Sequence, residues 1–371
     1  MRSFSPDEVA APLTSVSTEA TQPMQTHLQA RRDVMALRQV AGLGDVGVAR
    51  LLSLHGNATR ALMSVASERR DQAWRDADRI LADLQRIGGE ALVAGSDRYP
   101  ARLLELSDAP PVLYAKGTLA SAHPPAVAIV GTRAASAYGL RVARAIATAC
   151  ARAGVTIISG LARGIDGAAH EAALAAGGRT VAVLGTGLDV HYPRAHRTLQ
   201  ERIARDGLLL TEQKPGDTGH GGTFPRRNRL IAALADLTVV VEAGKGSGAL
   251  ITADHALELN RTVACVPNAI DQVSSLGSNA LLKMHAEPIL AVDDVLALLR
   301  IDRSVSTHVA LDGDAARCWD ALKQGARDID QVAAAAQLRP REAAAVLSAL
   351  EIDGLVHFGP SGQVHPSVSV S

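Results

Sequence analysis

At 371 residues the chain is longer than one hydrophobic core ordinarily organises, and its 47% apolar and 20% charged residues exclude a disordered or fibrous class. A formal net charge of zero removes any global field for polyanions, so affinity for phosphate must come from local clusters of cations and backbone amides. Three scattered cysteines, Cys150, Cys265 and Cys318, exclude a disulfide framework and a C-x-x-C zinc site.

Residues 1–30, rich in Ser, Thr, Pro and Gln, read as a disordered tail. Acidic residues near the start argue against a signal peptide, and no apolar run of about 18 residues occurs, so the expectation is a cytoplasmic protein that does not engage membranes. From 31 to 95 helical spacing dominates: Val34, Leu37, Val40, Leu51, Leu52 and Leu54 fall on apolar faces, interrupted by Gly42-Leu43-Gly44. This predicts a small helical module whose glycine turn resembles helix-hairpin-helix or SAM-like domains.

Between 96 and 300 short apolar runs alternate with helix-length stretches. The runs are 126–131, 155–160, 180–185, 208–211, 237–242 and 261–267. Runs apolar at every position suit strands covered on both faces, and the intervening helices force crossovers, so the pattern predicts an α/β fold with a doubly wound, mostly parallel sheet. Residues 301–310 read as a linker. Within 311–367, three short helices at about 314–324, 328–336 and 340–352, then two strands around a Gly359–Gly362 turn, predict a winged helix.

Ligands of an open parallel sheet bind where the strands deliver their carboxyl ends. There the sequence places Gly131-Thr132-Arg133, then Ser159-Gly160-Leu161-Ala162-Arg163-Gly164, then Gly185-Thr186-Gly187, then Glu242-Ala243-Gly244-Lys245-Gly246-Ser247-Gly248. Glycine admits close backbone approach and neighbouring cations supply charge-assisted hydrogen bonds, so this rim is expected to bind phosphates. The P-loop pattern G-x-x-x-x-G-K-[ST] is absent, and so is G-x-G-x-x-G after the first strand, which argues against nucleotide cofactors; none is expected. A further cluster, Phe224-Pro225-Arg226-Arg227-Asn228-Arg229, opens a helix. A ring beside guanidinium groups suits the unpaired bases and phosphates of a single strand, with Arg227 read as solvated. Catalytic signals are thin: His170, His191, His196 and His255 lie near the crests, but no nucleophile elbow, H-E-x-x-H or carboxylate pair accompanies them.

The stretches VAIVGTRAASAYG, SGLARGIDGAAHEAAL, AVLGTGLDVHYP, TEQKPG, FPRRNRLIAALAD and VVVEAGKGSGALITADHALELNR, in that order, closely resemble the DprA/Smf DNA-processing proteins. The resemblance implies an extended Rossmann-like fold, single-stranded DNA as ligand, homodimerisation, and loading of the RecA recombinase during natural transformation, without catalysis. Carried over by position, the strand-binding residues would be Arg133, Gly160, Arg163, Phe224, Asn228, Arg229, Ser247, Gly248 and Thr252, with Gly164, Lys214, Arg226 and Lys245 beside them. His196 and Asn268 depart from the family pattern. The helix Pro340–Asp353 carries Arg341 but also Glu342, Glu351 and Asp353, so the winged helix is expected to contact protein rather than duplex.

Two other readings stay open at this point. A phosphoribohydrolase-like enzyme would need P-G-G-x-G-T-x-x-E where Glu242–Gly248 stands. A platform for dimers and partners would draw on Leu188, Val190, Tyr192 and the Ile231–Leu234 helix face.

Overall fold

The computed structural model describes residues 21–122, 125–284, 286–301, 311, 313–352, 355–359 and 362–366. Most of the expected tail, residues 1–20, lies outside the described residues, as do 302–310 of the expected linker and Asp353; from Thr21 onward the chain is already helical.

Four helices come first: α1 (Thr21–Gln39), α2 (Asp45–His55), α3 (Ala58–Met63) and α4 (Ser67–Ile87). Gly56, at φ 77°, ends α2, and the Asn57 side chain accepts from Arg60 N at 2.9 Å to start α3. Val34, Leu37 and Val40 are buried as their spacing predicts. Leu54 is 74% exposed, because it lies two positions beyond Leu52, a rotation of about 200° that turns it to the opposite side of α2.

Strands β1 (Glu90–Val93) and β2 (Val112–Gly117) follow as an antiparallel pair. Six strand and helix units come next: β3 (Ala126–Val130), α5 (Ala137–Arg152), β4 (Thr156–Ser159), α6 (Ile165–Ala175), β5 (Thr180–Leu184), α7 (Arg197–Asp206), β6 (Leu208–Thr211), α8 (Thr223–Leu234), β7 (Leu237–Val240), α9 (Gly248–Glu258), β8 (Thr262–Cys265) and α10 (Leu276–Lys283). The short β9 (Glu287–Pro288) and α11 (Val292–Leu298) close this unit. All six predicted strands are present and mutually parallel in the order β6-β5-β4-β3-β7-β8, with β2 antiparallel beyond β6, β1 antiparallel to β2 at the edge, and β9 parallel beyond β8. The result is a nine-stranded, doubly wound, Rossmann-like sheet.

Both faces are covered, which is why β3 and β5 are buried at every position. On one face α8 and α9 contribute Leu230, Ala233 and Ala253 against Val130, Ile158 and Val183. On the other, α5 and α6 pack Ile146 and Ala169 on Ile129 and Ile157, while Met35, Leu37 and Leu84 of α1 and α4 share a core with Tyr114, Leu184 and Leu209. The 31–95 module is thus folded onto the sheet, and its last strand, β1, is the sheet's own edge.

The second unit is built by itself from α12 (Gly313–Lys323), α13 (Ile329–Ala336), α14 (Pro340–Ile352), β10 (Val356–Phe358) and β11 (Val364–Pro366). Its two strands pair antiparallel, Phe358 opposite Val364, and Cys318, Leu322, Val332, Leu347 and Val364 form its core, a winged helix as expected.

Candidate nucleic-acid interface

The chain runs outward from β3 through β4 and β5 to β6, then returns through α8 to lay β7 against the other side of β3. At such a reversal the crest loops of adjacent strands diverge and leave a crevice outside the carboxyl ends. Here the crevice is a cleft of about 810 Å³ between the Gly131–Arg133 turn, the 244–248 turn and the start of α8. A second cavity of about 420 Å³ adjoins it beneath Gly160–Arg163 and Tyr192–Ala195. Arg133, Ala162, Tyr192, Phe224 and Arg227 line both, so the two form one trough along the crest.

At the junction stands Phe224. Its ring centroid lies 4.9 Å from that of Tyr192, at an interplanar angle of 40°, and the Arg133 guanidinium carbon is 6.0 Å from the same ring. A Cβ at Gly185 would come within 2.7 Å of a Phe224 ring carbon, so glycine at the β5 crest is what seats the ring. At the other end, Ser247 Oγ accepts from Ala249 N at 3.4 Å to open α9, and Asn228 Nδ2 donates to Gly248 O at 2.9 Å, fixing the turn to α8. The positive end of α9 and the exposed Lys245 face the same cleft.

Of the thirteen site residues expected from sequence, Arg133, Gly160, Arg163, Phe224, Asn228, Lys245, Ser247, Gly248 and Thr252 line the trough. Gly164, Lys214, Arg226 and Arg229 do not. Gly164 instead holds two crests together: at φ 79°, a side chain there would meet Thr132 O at 2.3 Å. Arg226 pairs with Asp45 of α2 at 2.7 Å.

Arg229 is the clearest departure. It is buried, its terminal nitrogens donate to both Glu212 carboxylate oxygens at 2.7 Å, and Nε donates to Asp108 at 2.9 Å. Burial acts to lower its pKa, but the hydrogen bonds and charge of Glu212 outweigh that and raise it. A guanidinium saturated by carboxylates ties α8 to the β6 crest and has little left for phosphate.

Arg227, read as solvated, is buried as well. Its Nη1 donates to Gly160 O at 2.8 Å and to Val183 O, and its Nε donates to Asn228 Oδ1 at 3.3 Å. Burial pushes its pKa down to about 10, against the pull of Asp166 and with added repulsion from Arg133. Asp166, buried at the start of α6, accepts from Gly160 N at 3.1 Å and Ala162 N at 3.4 Å. Burial raises its pKa, opposed by Arg227 and these amides. Arg194, in the long loop after β5, lines the smaller cavity and was passed over in sequence. The signal would have been the loop itself, whose Tyr192-Pro193-Arg194 puts an aromatic beside a cation five residues beyond Gly187.

The histidines have structural partners. His170 Nδ1 lies 2.7 Å from Thr180 Oγ1, His196 Nδ1 is 3.0 Å from Leu161 O, and His255 pairs with Glu258 at 3.0 Å. Among the described residues no cluster of three or more His, Cys, Asp or Glu has metal-binding geometry, and no helix is long and apolar enough to cross a membrane.

With this geometry in hand the comparisons are specific. The family described as DNA recombination-mediator protein A matches residues 90–300, and the DprA winged helix domain matches 304–362. Protein Smf of Synechocystis sp. is 39% identical over 284 residues, 71% of each chain. The X-ray structure of DNA processing protein A from Streptococcus pneumoniae superposes with a TM-score of 0.64 at 35% identity, covering 72% of this chain and 97% of that one. A structure of DNA processing protein A from Helicobacter pylori, described for its single-stranded DNA binding mode, gives a TM-score of 0.52 at 31% identity over 57% of this chain and 95% of that one. The family match over residues 90–300, which spans the whole reversal-point trough, together with the winged-helix match over 304–362, means that this chain belongs to the DNA recombination-mediator protein A family of DprA/Smf DNA-processing proteins.

Proposed function

We propose that the trough holds a single DNA strand through its sugar-phosphate backbone, with Phe224 and Tyr192 stacking a base at the junction of the two cavities. The observation that carries this reading is the set of rim cations: Arg133, Arg163, Arg194 and Lys245 line the trough, and none pairs with a carboxylate among the described residues. Exposed cations beside backbone amides and a stackable ring suit an unpaired strand.

The reading is of a binder and not a catalyst, because the nearby carboxylates have other work. Asp166 accepts from crest amides, and Glu242 accepts from Ser136 N at 3.1 Å and Ser136 Oγ at 2.7 Å, holding the serine whose side chain caps α5. The family resemblance extends the proposal to a cytoplasmic homodimer that protects incoming single strands and loads the RecA recombinase. Acidic groups on α14 favour a protein contact for the winged helix: Glu342 pairs with Arg339, and Glu351 accepts from Phe358 N at 3.3 Å, leaving Arg341 as an exposed cation among them.

Titrating a fluorescent oligothymidylate across salt concentrations tests the reading. Arg133→Ala is expected to weaken binding about tenfold and to flatten the slope of log affinity against log salt by about 0.7, one phosphate contact on a single strand. Binding by the wild type that ignores salt, or an unchanged slope in the variant, removes the trough from consideration.

A further inference from the structure

The loop that carries Arg163 is held in a conformation its own sequence does not favour. Leu161, fully buried, sits at φ 59°, a left-handed region that costs a branched residue of this size free energy and persists only where surroundings over-determine it. Those surroundings are three side chains from three elements. Arg227 of α8 donates to Gly160 O at 2.8 Å, Asp166 of α6 accepts from Gly160 N at 3.1 Å and Ala162 N at 3.4 Å, and His196 lies 3.0 Å from Leu161 O.

We propose that Arg227 and Asp166 are a positioning pair that grips Gly160 from both sides, setting the β4 crest loop, and with it Arg163, at the height where a strand in the trough meets it. This rests on the strand-binding reading above. Arg227 acts through the loop: its Nη1 engages Gly160 O and Val183 O, so it ties the β4 crest to β5, and it follows Phe224 on α8 by one turn less a residue. One side chain thereby links the ring that stacks and the loop that carries a cation. Gly160 belongs to the same device, since a Cβ there would lie 2.5 Å from Arg227 Nη2 and expel the guanidinium from its seat.

The proposal separates position from charge. Arg227→Lys keeps a cation beneath the trough but lacks the planar fork that reaches Gly160 O and Val183 O through Nη1 while Nε holds Asn228 Oδ1. Oligothymidylate affinity is expected to fall about tenfold, and Arg163→Ala, harmful in the wild type, should do little further in the Arg227→Lys background. Such non-additivity marks residues that act as a unit, whereas a general loss of stability leaves the two losses multiplying. Gly160→Ala displaces the guanidinium while leaving every charge in place and should reproduce both results; Asp166→Ala, which removes the oxygen that accepts from Gly160 N and Ala162 N, should reproduce them too and gives a third route should either variant fail to fold.

Wild-type affinity in Arg227→Lys and Gly160→Ala, or losses that simply multiply with Arg163→Ala, overturns the positioning pair and leaves the strand-binding reading standing. A wild type that binds no oligothymidylate overturns that reading first, and this one with it.

Discussion

The rim of the trough and its floor are built from the same residue types in opposite states. On the rim, Arg133, Arg163, Arg194 and Lys245 are exposed and make no ion pair with a described carboxylate. Beneath them, Arg227, Arg229, Asp166 and Glu212 are buried and hydrogen-bonded to one another or to backbone, and His170 is buried against the Thr180 hydroxyl. The difference teaches how a chain of zero net charge offers a polyanion a cationic surface. Its carboxylates near the site are drawn into the floor, where they set the shape of loops, and the rim cations are left without internal partners.

The comparison predicts that rim substitutions act on binding alone, that Arg227 and Asp166 act on binding through the Gly160 loop they grip, and that Arg229 and His170, which touch no rim loop, act on stability. The largest effect should come from Arg229→Met, which leaves Glu212 buried without the cation that hydrogen-bonds both its oxygens. Removing one partner of a buried pair costs ~3–5 kcal/mol, and replacing both costs far less. Urea unfolding should therefore show a large fall in midpoint for Arg229→Met and substantial recovery in Arg229→Met/Glu212→Leu. If Arg229→Met unfolds like the wild type and loses oligonucleotide affinity instead, rim and floor are not distinct.

His170 offers a second, smaller break. Burial, with His196 and Arg227 nearby, pushes its pKa down to about 3, so the folded state stays neutral while an unfolded chain takes up a proton near pH 6.5. The unfolded state then binds the extra proton between those values. Stability from this group is complete above about pH 6.5 and is lost progressively as pH falls toward about 3, by about 2 kcal/mol at pH ~5. The unfolding midpoint of His170→Asn should fall less steeply over that range than that of the wild type; parallel curves would mean that His170 takes up a proton in the folded protein.

How much of this was legible follows the same division. The six parallel strands announced themselves because a strand covered on both faces must be apolar at every position. The β1–β2 pair did not: β1 is four residues long with two half-buried ends, and it directly follows a helical stretch. The rim was legible at Arg133, Arg163 and Lys245, where glycine and cation fall side by side at strand ends, and not at Arg194, which has no glycine beside it. The floor was not, since Arg226, Arg227 and Arg229 look alike in sequence. Helical phase separates them in space, and their partners lie far along the chain: Asp45 at a separation of 181 residues, Gly160 at 67, Asp108 at 121. Nothing local distinguishes a guanidinium destined for a carbonyl from one destined for solvent.

Arg226 sits on the boundary between the two regions and gives the finest test. Its side chain is half exposed, yet it pairs at 2.7 Å with Asp45, which is itself mostly buried and held from behind by Arg38 at 3.1 Å. An ion pair with one exposed partner is worth little, about 0–1 kcal/mol, so phosphate competes with Asp45 for this guanidinium on nearly equal terms. Asp45→Asn keeps an oxygen for Arg38 and withdraws the competing charge. If Arg226 lies along the strand's path, the variant should bind oligothymidylate about two- to threefold more tightly at low salt, with a salt slope steeper by up to about 0.7. An unchanged slope places Arg226 beyond the reach of the strand and assigns its pairing wholly to docking α2 against the start of α8.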